Sequence, residues 1–382
     1  MKPKVVSIFG VRSDAVKMAP VVNALKNQDK IDSIVLVTGQ HLSMLDEVLD
    51  LFNIVPEYNL KLMTRASSII DFVSTAMVEI GKILEKEKPD LVLVHGDTST
   101  SISGSLAGLY SGIKVAHIEG GLRSGDKFNP FPEEINRRLD DIISELYFVP
   151  TSSNRKNLDF KEYNQEHVFI TGNTGIDALL SLTSNEIKTN IPLLQKIYDS
   201  KQKIITVTMH RRENWGESFK NTLNAFKQIV EAEKDVVIVY PVHLNPNVRD
   251  VAYAELEGID RIVLTEPLNY REFAGLMQKS QMIITDSGGI QEEAPALGKP
   301  VLVIRDNTER WEAVEAGTVK LIGSNTEKIV SETHRLLHDK DYYECMAQAR
   351  NPYGDGKATG RIIEYLYYYF GLRDTRPDEF PG

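Results

Sequence analysis

The chain has almost no cysteine and no long apolar run, and both absences limit its class. Cys345 is the only cysteine among 382 residues, so internal disulfides and thiolate metal clusters are excluded, which suits a reducing cytoplasm. No apolar stretch reaches the roughly 18 to 20 residues that a membrane-spanning helix needs. The N-terminus enters a strand-like run without a long apolar signal segment. We therefore expect a cytoplasmic protein without a membrane partner.

A net positive charge is also lacking, since the net charge is −10. This balance argues against non-specific nucleic-acid binding, although local arginines can still bind an anionic ligand. The hydrophobic share of 42% and the charged share of 26% are typical of a globular protein. The length allows two domains of ordinary size.

Signatures of two common site types are missing. The chain contains no H-E-x-x-H or H-x-x-E-H segment. His95 and Asp97, which alternate at a predicted strand end, are the remaining candidates for a catalytic metal site. The first turn, Gly10–Asp14, reads G-V-R-S-D instead of G-x-G-x-x-G, so a nicotinamide cofactor has little support. We expect neither a metal nor an organic cofactor.

What is present is a regular alternation of short apolar runs with longer amphipathic stretches. The runs are apolar on both faces, as in parallel strands that helices cover on each side. Segments such as Asp14–Asn27 and Glu217–Glu231 have apolar residues at i, i+3 and i+4 and are long enough for crossover helices. The pattern predicts an α/β fold with two Rossmann-like, doubly wound parallel-sheet domains. The predicted strands are Val5–Phe9, Ile34–Val37, Leu91–Val94, Val115–Ile118, Leu146–Val149, Val168–Ile170, Ile204–Val207, Val236–Val239, Ile262–Leu264, Met282–Ile284 and Val301–Ile304.

A turn-rich segment, Thr171–Asp177, divides this pattern into two halves. We expect an N-terminal domain over residues 1–172 that carries acid/base carboxylates and a C-terminal domain over residues 173–360. Residues 361–382 contain an aromatic amphipathic helix and a tail, which we expect to pack back on the N-terminal domain.

Polar residues collect directly after the predicted strands. Open parallel sheets bind ligands at the carboxyl ends of their strands, so two sheets facing each other would place these loops around one central cleft. A single histidine at such a position is usually structural, but several together favour a site. The histidines at or beside the strand ends are His41, His95, His117, His210 and His243.

The most specific local pattern is Ile283–Val303, in which an apolar run is followed by Ser287, two glycines and three acid or amide side chains. The pattern predicts a strand, a tight turn and a helix start. Glycines allow close approach of the backbone to a ligand, and the helix N-terminus favours phosphate. Glu292 and Glu293 could accept hydrogen bonds from sugar hydroxyls. A nucleotide sugar satisfies both halves of the pattern.

Carboxylates and cations suited to such a ligand follow other strands. Asp97 and Glu119 end adjacent predicted strands, and Glu133 follows two prolines that set a helix start, where Glu134 suits the helix dipole. Several carboxylates in a partly dry cleft would have pKa values spread apart, as proton transfer to and from carbon requires. Each arginine could equally form an ordinary ion pair. The candidate phosphate-binding cations are Arg12, Lys17, His210, Arg211, Arg212, Arg305 and Arg310.

Taken together, the motifs resemble those of the non-hydrolysing UDP-N-acetylglucosamine 2-epimerases, collinearly from about Ile8 to Ile362. The matching segments are GVRSDAVKMAPV, VHGDT, HIEGGLR, PEEINR, HRREN, YPVHLNPNVR, TDSGGIQEEAP and NPYGDG. The resemblance implies a GT-B-like fold, a UDP-binding C-terminal domain, a homodimer and cytoplasmic interconversion of UDP-GlcNAc and UDP-ManNAc for surface polysaccharides.

The resemblance also implies roles for individual residues. The matched catalytic positions are Lys17, Asp97, Glu119, Glu133 and His210. The matched UDP contacts are Arg12, Phe273 near uracil, Ser287, Gly288 and Gly289 at the diphosphate, and Glu293 at the ribose. The strand-end residues His243, Arg305 and Arg310 complete the expected substrate-binding set.

The implied reaction removes the C2 proton while UDP leaves C1, which gives 2-acetamidoglucal beside UDP. UDP adds back after a proton reaches the opposite face of C2. Two faces need at least two acid/base groups and no redox cofactor. The sequence leaves open which carboxylate serves which face.

Two segments depart from the family pattern. The family usually has G-T-R-P-E at the first turn, where this chain has Gly10–Asp14. Many bacterial members bind a second UDP-GlcNAc as an activator through Q-H-R-Q-M and a downstream R-Q pair. Here Gln40–Met44 reads Q-H-L-S-M, and Ala66-Ser67 align with the pair, one place after Arg65. We expect weak or absent substrate activation.

Other functions remain open at this stage. A close variant would act on a modified UDP-amino sugar or release free ManNAc and UDP. A GT-B glycosyltransferase would share the fold and the diphosphate turn. A nucleotide-sugar sensor would bind the ligand without any reaction.

Overall fold

The computed structural model describes residues 2–39, 42–62, 67–159, 163–212 and 215–382, with residues 42 and 43 described by their backbone alone. The chain divides into two compact units, Met1–Ala178 with Tyr353–Gly382, and Leu179–Pro352. Each unit contains a parallel sheet connected by helices. The predicted α/β fold with two Rossmann-like parallel-sheet domains is confirmed.

The first unit has a seven-stranded sheet in its described part, in the order β3-β2-β1-β4-β5-β6-β7. The strand order reverses between β1 and β4, which is the position where doubly wound sheets bind ligands. The strands are β1 Lys4–Phe9, β2 Asp32–Val37, β3 Tyr58–Asn59, β4 Leu91–His95, β5 Lys114–Ile118, β6 Leu146–Val149 and β7 Val168–Ile170. The helices are α1 Arg12–Lys26, α2 Leu42–Leu51, α3 Ile69–Glu87, α4 Ser99–Tyr110, α5 Glu133–Ile143, α6 Ser152–Lys156 and α7 Thr174–Thr183, which contains the unit boundary.

The described part of the second unit has a six-stranded sheet in the order β10-β9-β8-β11-β12-β13. Its strands are β8 Lys203–Thr208, β9 Val236–Pro241, β10 Ile262–Thr265, β11 Met282–Thr285, β12 Val301–Val303 and β13 Val319–Leu321. Its helices are α8 Pro192–Asp199, α9 Glu217–Ala232, α10 Pro246–Leu256, α11 Tyr270–Lys279, α12 Gly288–Glu293, α13 Trp311–Glu315, α14 Thr326–His338 and α15 Lys340–Ala347. Again the order reverses at the centre, here between β8 and β11.

The central strands match the apolar runs, whereas two of the edge strands, β3 and β13, are not among the predicted strands. Val5, Val6 and Ile8 of β1 are fully buried, as expected for a central strand with helices on both faces. The edge strands β3 and β13 read Y-N and V-K-L. They are too short and too polar to stand out as apolar runs.

The C-terminal segment belongs to the first unit. Its helix, α16 (Ala358–Tyr369), packs against α1, and the ring of Tyr365 stacks on Phe169 with 3.9 Å between centroids. The first unit also runs past the expected boundary at residue 172 and includes residues 353–360, which were expected in the second domain. The reason is local hydrogen bonding, since the Asp177 carboxylate accepts the N–H groups of Ala358 at 3.2 Å and Thr359 at 2.7 Å. Across the described residues, every helix is too short or too polar to span a bilayer.

Candidate active site

The turn after β1 has no room for a side chain at its first position. A Cβ on Gly10 would lie 1.9 Å from Thr38 Oγ1 and 2.4 Å from Thr100 Oγ1, and these two hydroxyls bond each other at 2.8 Å. The close approach of the chain to this hydroxyl pair therefore requires glycine. Arg12, the first residue of α1, follows directly and is partly exposed.

Asp14 holds the geometry of this turn. Its carboxylate accepts the backbone N–H of Gly10 at 3.1 Å and of Val11 at 2.8 Å, so it caps the start of α1. Burial raises the pKa of Asp14 to about 7, although the backbone hydrogen bonds oppose the shift. The turn that departs from the family pattern is thus fixed by an acid at position 14.

Glu119 and Lys17 meet at the carboxyl end of the first sheet. Glu119 follows β5, Lys17 lies in α1, and their side chains form an ion pair between Oε2 and Nζ. His95 ends the neighbouring strand β4, with Nε2 3.7 Å from the same Glu119 oxygen. The structure therefore joins two of the predicted catalytic residues and adds a histidine beside them.

The backbone of Glu119 is in the left-handed region, with φ 68°. A residue with a Cβ adopts this conformation at a cost of roughly 1–2 kcal/mol. The strand ladder fixes it, because the N–H groups of Glu119 and Gly120 both donate to the Phe148 carbonyl, at 2.9 and 3.3 Å. Such strain concentrates at functional sites.

His95 and His117, at or beside the ends of β4 and β5, differ in charge state. Burial lowers the pKa of His95 to about 3, so its ring is neutral. Burial would also lower the pKa of His117, but the hydrogen bond and charge of Asp141 outweigh it and raise the pKa to about 9. Both His117 partners, Asp141 Oδ1 at 2.8 Å and the Gly96 carbonyl at 2.7 Å, are acceptors, so both ring nitrogens donate. His117 is therefore a structural cation below the strand ends.

Asp97 is held by the helix that follows the proline segment. Arg137 in α5 donates two N–H groups to Asp97 Oδ2, with Nε at 3.0 Å, and Asn136 Nδ2 donates to the Asp97 carbonyl at 2.9 Å. Glu133 is the first residue of α5, as the proline pattern predicts, and is partly exposed. Glu134 is fully buried and pairs with Arg137 and with Arg138.

In the second unit, a buried acid orients His210 after β8. Asp286 Oδ1 lies 3.1 Å from His210 Nδ1, and Asp286 Oδ2 accepts the His210 backbone N–H at 2.9 Å. The ring of His243 stacks on His210 with 5.7 Å between centroids. Burial and then the charge of His210 lower the pKa of His243. The structure brings these two predicted residues together.

The double-glycine turn follows β11, as the sequence predicts, and Gly288 and Gly289 are the first two residues of α12. Ser287 precedes the helix and donates its N–H to Thr285 Oγ1 at 2.9 Å. A Cβ on Gly289 would meet nothing within 4 Å, whereas one on Gly288 would lie 3.5 Å from Glu309 Oε1 and 3.6 Å from the Arg310 guanidinium. The backbone at Gly289 is therefore open to a ligand, with a cation beside its neighbour.

The arginines near this turn are paired with carboxylates. Arg310 forms an ion pair with Glu292, and Arg305 Nη1 lies 2.8 Å from Glu309 Oε2. Burial would raise the pKa of Glu309, but its backbone hydrogen bond, Arg305 and Arg211 lower it to about 2. The ion-pair interpretation and the phosphate interpretation are compatible, because a guanidinium has five donors.

The remaining substrate-binding candidates also lie in the second unit. Phe273 in α11 is partly buried against the apolar cluster that includes Leu276 and Val239. Glu293 ends α12 and is partly exposed. Residues 40, 41, 65, 66, 213 and 214, on which the strand-end and activator predictions partly rest, lie outside the described residues.

Sequence reasoning misses the residues that orient the site. Three such residues lie in the matching motifs or after predicted strands: Arg137, Asp286 and Glu309. Their role becomes visible only from the side chains with which they pair in the structure. A usable signal was present for Asp286, a single acid that directly follows an apolar strand.

The chain and its fold have clear counterparts among known proteins. The model of the UDP-N-acetylglucosamine 2-epimerase family matches residues 23–367. UDP-N-acetylglucosamine 2-epimerase of Bacillus subtilis is 48% identical over 381 residues, which cover 100% of this chain and 99% of that protein. The crystal structure of UDP-GlcNAc 2-epimerase from Neisseria meningitidis bound to UDP-GlcNAc is 44% identical with a TM-score of 0.84, covering 96% of this chain and 100% of that one.

An archaeal structure extends the likeness. Methanocaldococcus jannaschii UDP-GlcNAc 2-epimerase, in complex with UDP-GlcNAc and UDP, is 34% identical with a TM-score of 0.77 and covers 96% of this chain and 99% of that one. The family model and the full-length identities agree. The chain belongs to the UDP-N-acetylglucosamine 2-epimerase family, a family of isomerases.

Proposed function

We propose that this chain catalyses the reversible C2 epimerisation of UDP-GlcNAc to UDP-ManNAc, through elimination of UDP to 2-acetamidoglucal and re-addition. The relatives named above carry this activity in their names, and two were crystallised with UDP-GlcNAc. The observation that carries the proposal is the pair of oriented carboxylates, Asp97 and Glu119, after adjacent strands of the first unit.

The acid/base step needs two groups that act on opposite faces of C2. Arg137 donates two hydrogen bonds to Oδ2 of Asp97. In the proposal, the other oxygen, Oδ1, faces the substrate. Glu119 is polarised by Lys17. One carboxylate removes the C2 proton as the C1–O bond breaks and its electron pair leaves with UDP. The other group, which carries a proton taken from solvent, delivers it to C2 from the opposite face, and the diphosphate oxygen re-forms the bond to C1. The first carboxylate then returns its proton to solvent.

Glu133 and Lys17 complete the proposed catalytic set from the first unit, and His210 joins it from the second. Lys17 carries a positive charge suited to the departing diphosphate. His210, oriented by the buried Asp286, is suited to donate to a phosphate oxygen. No step transfers electrons to a cofactor. Only a proton and UDP leave the sugar and return to it.

The proposal assigns UDP to the second unit. Gly288 and Gly289 supply backbone N–H groups and Ser287 its hydroxyl to the diphosphate at the start of α12, with Arg305 and Arg310 as cations and His243 beside His210. Arg12 is a further cation of the proposed set and comes from the first unit. Phe273 stacks near uracil, and Glu293 accepts hydrogen bonds from the ribose. The open backbone at Gly289 supports this assignment.

The assembly and cellular role are part of the same proposal. A cytoplasmic homodimer that supplies a UDP-amino sugar for surface polysaccharide follows from the family resemblance. Light scattering of the purified chain tests the dimer, and a monomer at micromolar concentration would overturn that part alone.

Incubation with UDP-GlcNAc in D2O tests the reaction. We expect deuterium at C2 of both recovered UDP-GlcNAc and UDP-ManNAc, detected by NMR and mass spectrometry. Stoichiometric free UDP with ManNAc would indicate hydrolysis instead. Transfer to an acceptor without C2 exchange would indicate a glycosyltransferase, and binding without exchange a sensor. A sample without enzyme controls for spontaneous exchange.

A further inference from the structure

A second cluster with the composition of a ligand site lies in the second unit, outside the proposed active site. Glu233, His334 and His338 each direct one nitrogen or oxygen atom inward, and these atoms all lie within 4.8 Å of one another. Both histidines belong to α14, and a spacing of four residues places them on one helix face. Glu233 is the residue that follows α9. We propose that these three side chains bind a divalent transition-metal ion of the zinc class.

The distances between the donor atoms are close to those of a metal site. His334 Nδ1 lies 2.7 Å from Glu233 Oε1, and His338 Nε2 lies 3.0 Å from both Glu233 oxygens. Tetrahedral zinc with bonds of roughly 2.0–2.1 Å separates its ligands by about 3.3 Å. Each histidine nitrogen therefore needs to move away from the Glu233 oxygens by only a few tenths of an ångström, and the two nitrogens lie within 4.8 Å of each other. Side-chain exposure of 62% for His334 and 50% for His338 leaves room for that adjustment.

The donor set selects the class of ion. Two imidazoles with one carboxylate suit zinc, copper and nickel, whereas magnesium and calcium prefer oxygen ligands alone. Three protein ligands leave a fourth position for water on the exposed side.

The protein fixes the backbone of Glu233 before any ion arrives. The Glu233 N–H donates to the Ile229 carbonyl at 2.8 Å, and its own carbonyl accepts Arg261 Nη1 at 2.6 Å. Helices α9 and α14 pack together through buried Ile229 and Leu336. Positioned ligands on rigid helices reduce the ordering cost of binding.

The charged groups near the three proposed ligands are of both signs. Asp235 is close enough to His338 for their charges to interact, and Lys203 lies 3.0 Å from Asp235. Arg261 adds a positive charge near Glu233. The net field is thus mixed, and affinity depends mainly on the three ligands. A bound ion would link the end of α9 to the end of α14 and stabilise the second unit by mass action.

Calorimetric titration with Zn²⁺ in a non-chelating buffer tests the site. All proteins carry Cys345→Ser, because this exposed thiol could bind zinc by itself. The test variants are the double variant His334→Gln, His338→Gln and the single variant Glu233→Gln. The matched control is His167→Gln, which removes a histidine that pairs with one carboxylate, Glu145, at 3.3 Å.

We expect the control to bind one more equivalent of Zn²⁺ than the double variant. Any Zn²⁺ binding that remains at the site after a ligand is lost should be at least 10- to 100-fold weaker. Zn²⁺ should raise the melting temperature of the control but not of the double variant, and Mg²⁺ should raise neither. Because His334 and His338 are exposed, their replacement should leave the metal-free melting temperature unchanged. Equal stoichiometry and affinity in control and double variant would overturn the proposal.

Discussion

At the scale of single residues, the site is defined by what each carboxylate contacts. Sequence position alone makes Asp97, Glu119 and Glu133 equivalent candidates. The structure separates them, because Asp97 is held by Arg137, Glu119 by Lys17, and Glu133 begins a helix. The charge states of His95 and His117 also differ, although both are strand-end histidines in the sequence.

Replacing the proposed acid/base residues should affect turnover rather than affinity. Asp97→Asn and Glu119→Gln keep the shape of the side chain but cannot take the C2 proton, so kcat should fall by about 10²- to 10⁴-fold. The Kd for UDP should change little. Glu293→Ala should do the reverse, weakening UDP binding with a smaller loss of kcat. Steady-state kinetics and UDP titration of all three variants measure both effects, and near-wild-type turnover in both carboxylate variants would falsify the assignment.

The neutral state of His95 predicts a pH dependence of stability. In the unfolded chain this group binds its proton below pH 6.5, whereas the folded protein resists protonation until about pH 3. The unfolded state binds more protons in that window, so stability falls as the pH drops from 6.5 towards 3. His95→Gln should lose less stability over this range than the wild type. Urea unfolding at pH 7 and pH 5 measures the difference, and parallel losses in both proteins would contradict a neutral buried His95.

At the scale of elements, the turns at strand ends restrict the residue type at each position more tightly than the strands do. Apolar periodicity predicts where strands and helices lie, but the turn after β1 is set by Thr38 and Thr100, which come from other segments. The double-glycine turn is different, because its glycines are surrounded by open space or by a flexible side chain. The same residue type thus serves packing in one turn and ligand approach in the other.

Two alanine substitutions separate these roles. Gly10→Ala places a Cβ on two hydroxyls and should lower the free energy of unfolding by roughly 1–3 kcal/mol, as overpacking does. Gly289→Ala, whose Cβ meets nothing within 4 Å, serves as the matched control and should leave stability within about 0.5 kcal/mol. It should instead weaken UDP binding. Chemical unfolding with UDP titration tests both, and equal stability losses would refute the distinction.

At the scale of the whole molecule, the chain builds two parallel-sheet units and returns its last segment to the first. The tail is held by specific groups, including Phe380, which is buried with Tyr147 and Val168. The comparisons identify the family over nearly the full length. Substrate activation is a separate matter, because the segments expected to mediate it fall partly outside the described residues.

The altered activator segments predict simple kinetics. Arginine and glutamine side chains that the family pattern places in Q-H-R-Q-M and the R-Q pair are replaced here by Leu42, Ser43, Ala66 and Ser67. The lost donors should weaken binding of a second UDP-GlcNAc. The rate with UDP-ManNAc should therefore rise hyperbolically with concentration. A sigmoidal curve that traces of UDP-GlcNAc abolish would show that activation is retained.

The sequence by itself determined the alternation of strands and helices, the position of the double-glycine turn and the family resemblance. These are local properties, since periodicity, turn chemistry and motif order are read within short windows. Tertiary structure alone decided the pairings: Lys17 reaches Glu119 across 102 positions of the chain, and Asp97 reaches Arg137 across 40. It also decided that His95 is neutral and His117 charged, and that Glu119 has a left-handed backbone. Such features depend on burial and on partners that only the order of strands in the sheet brings together.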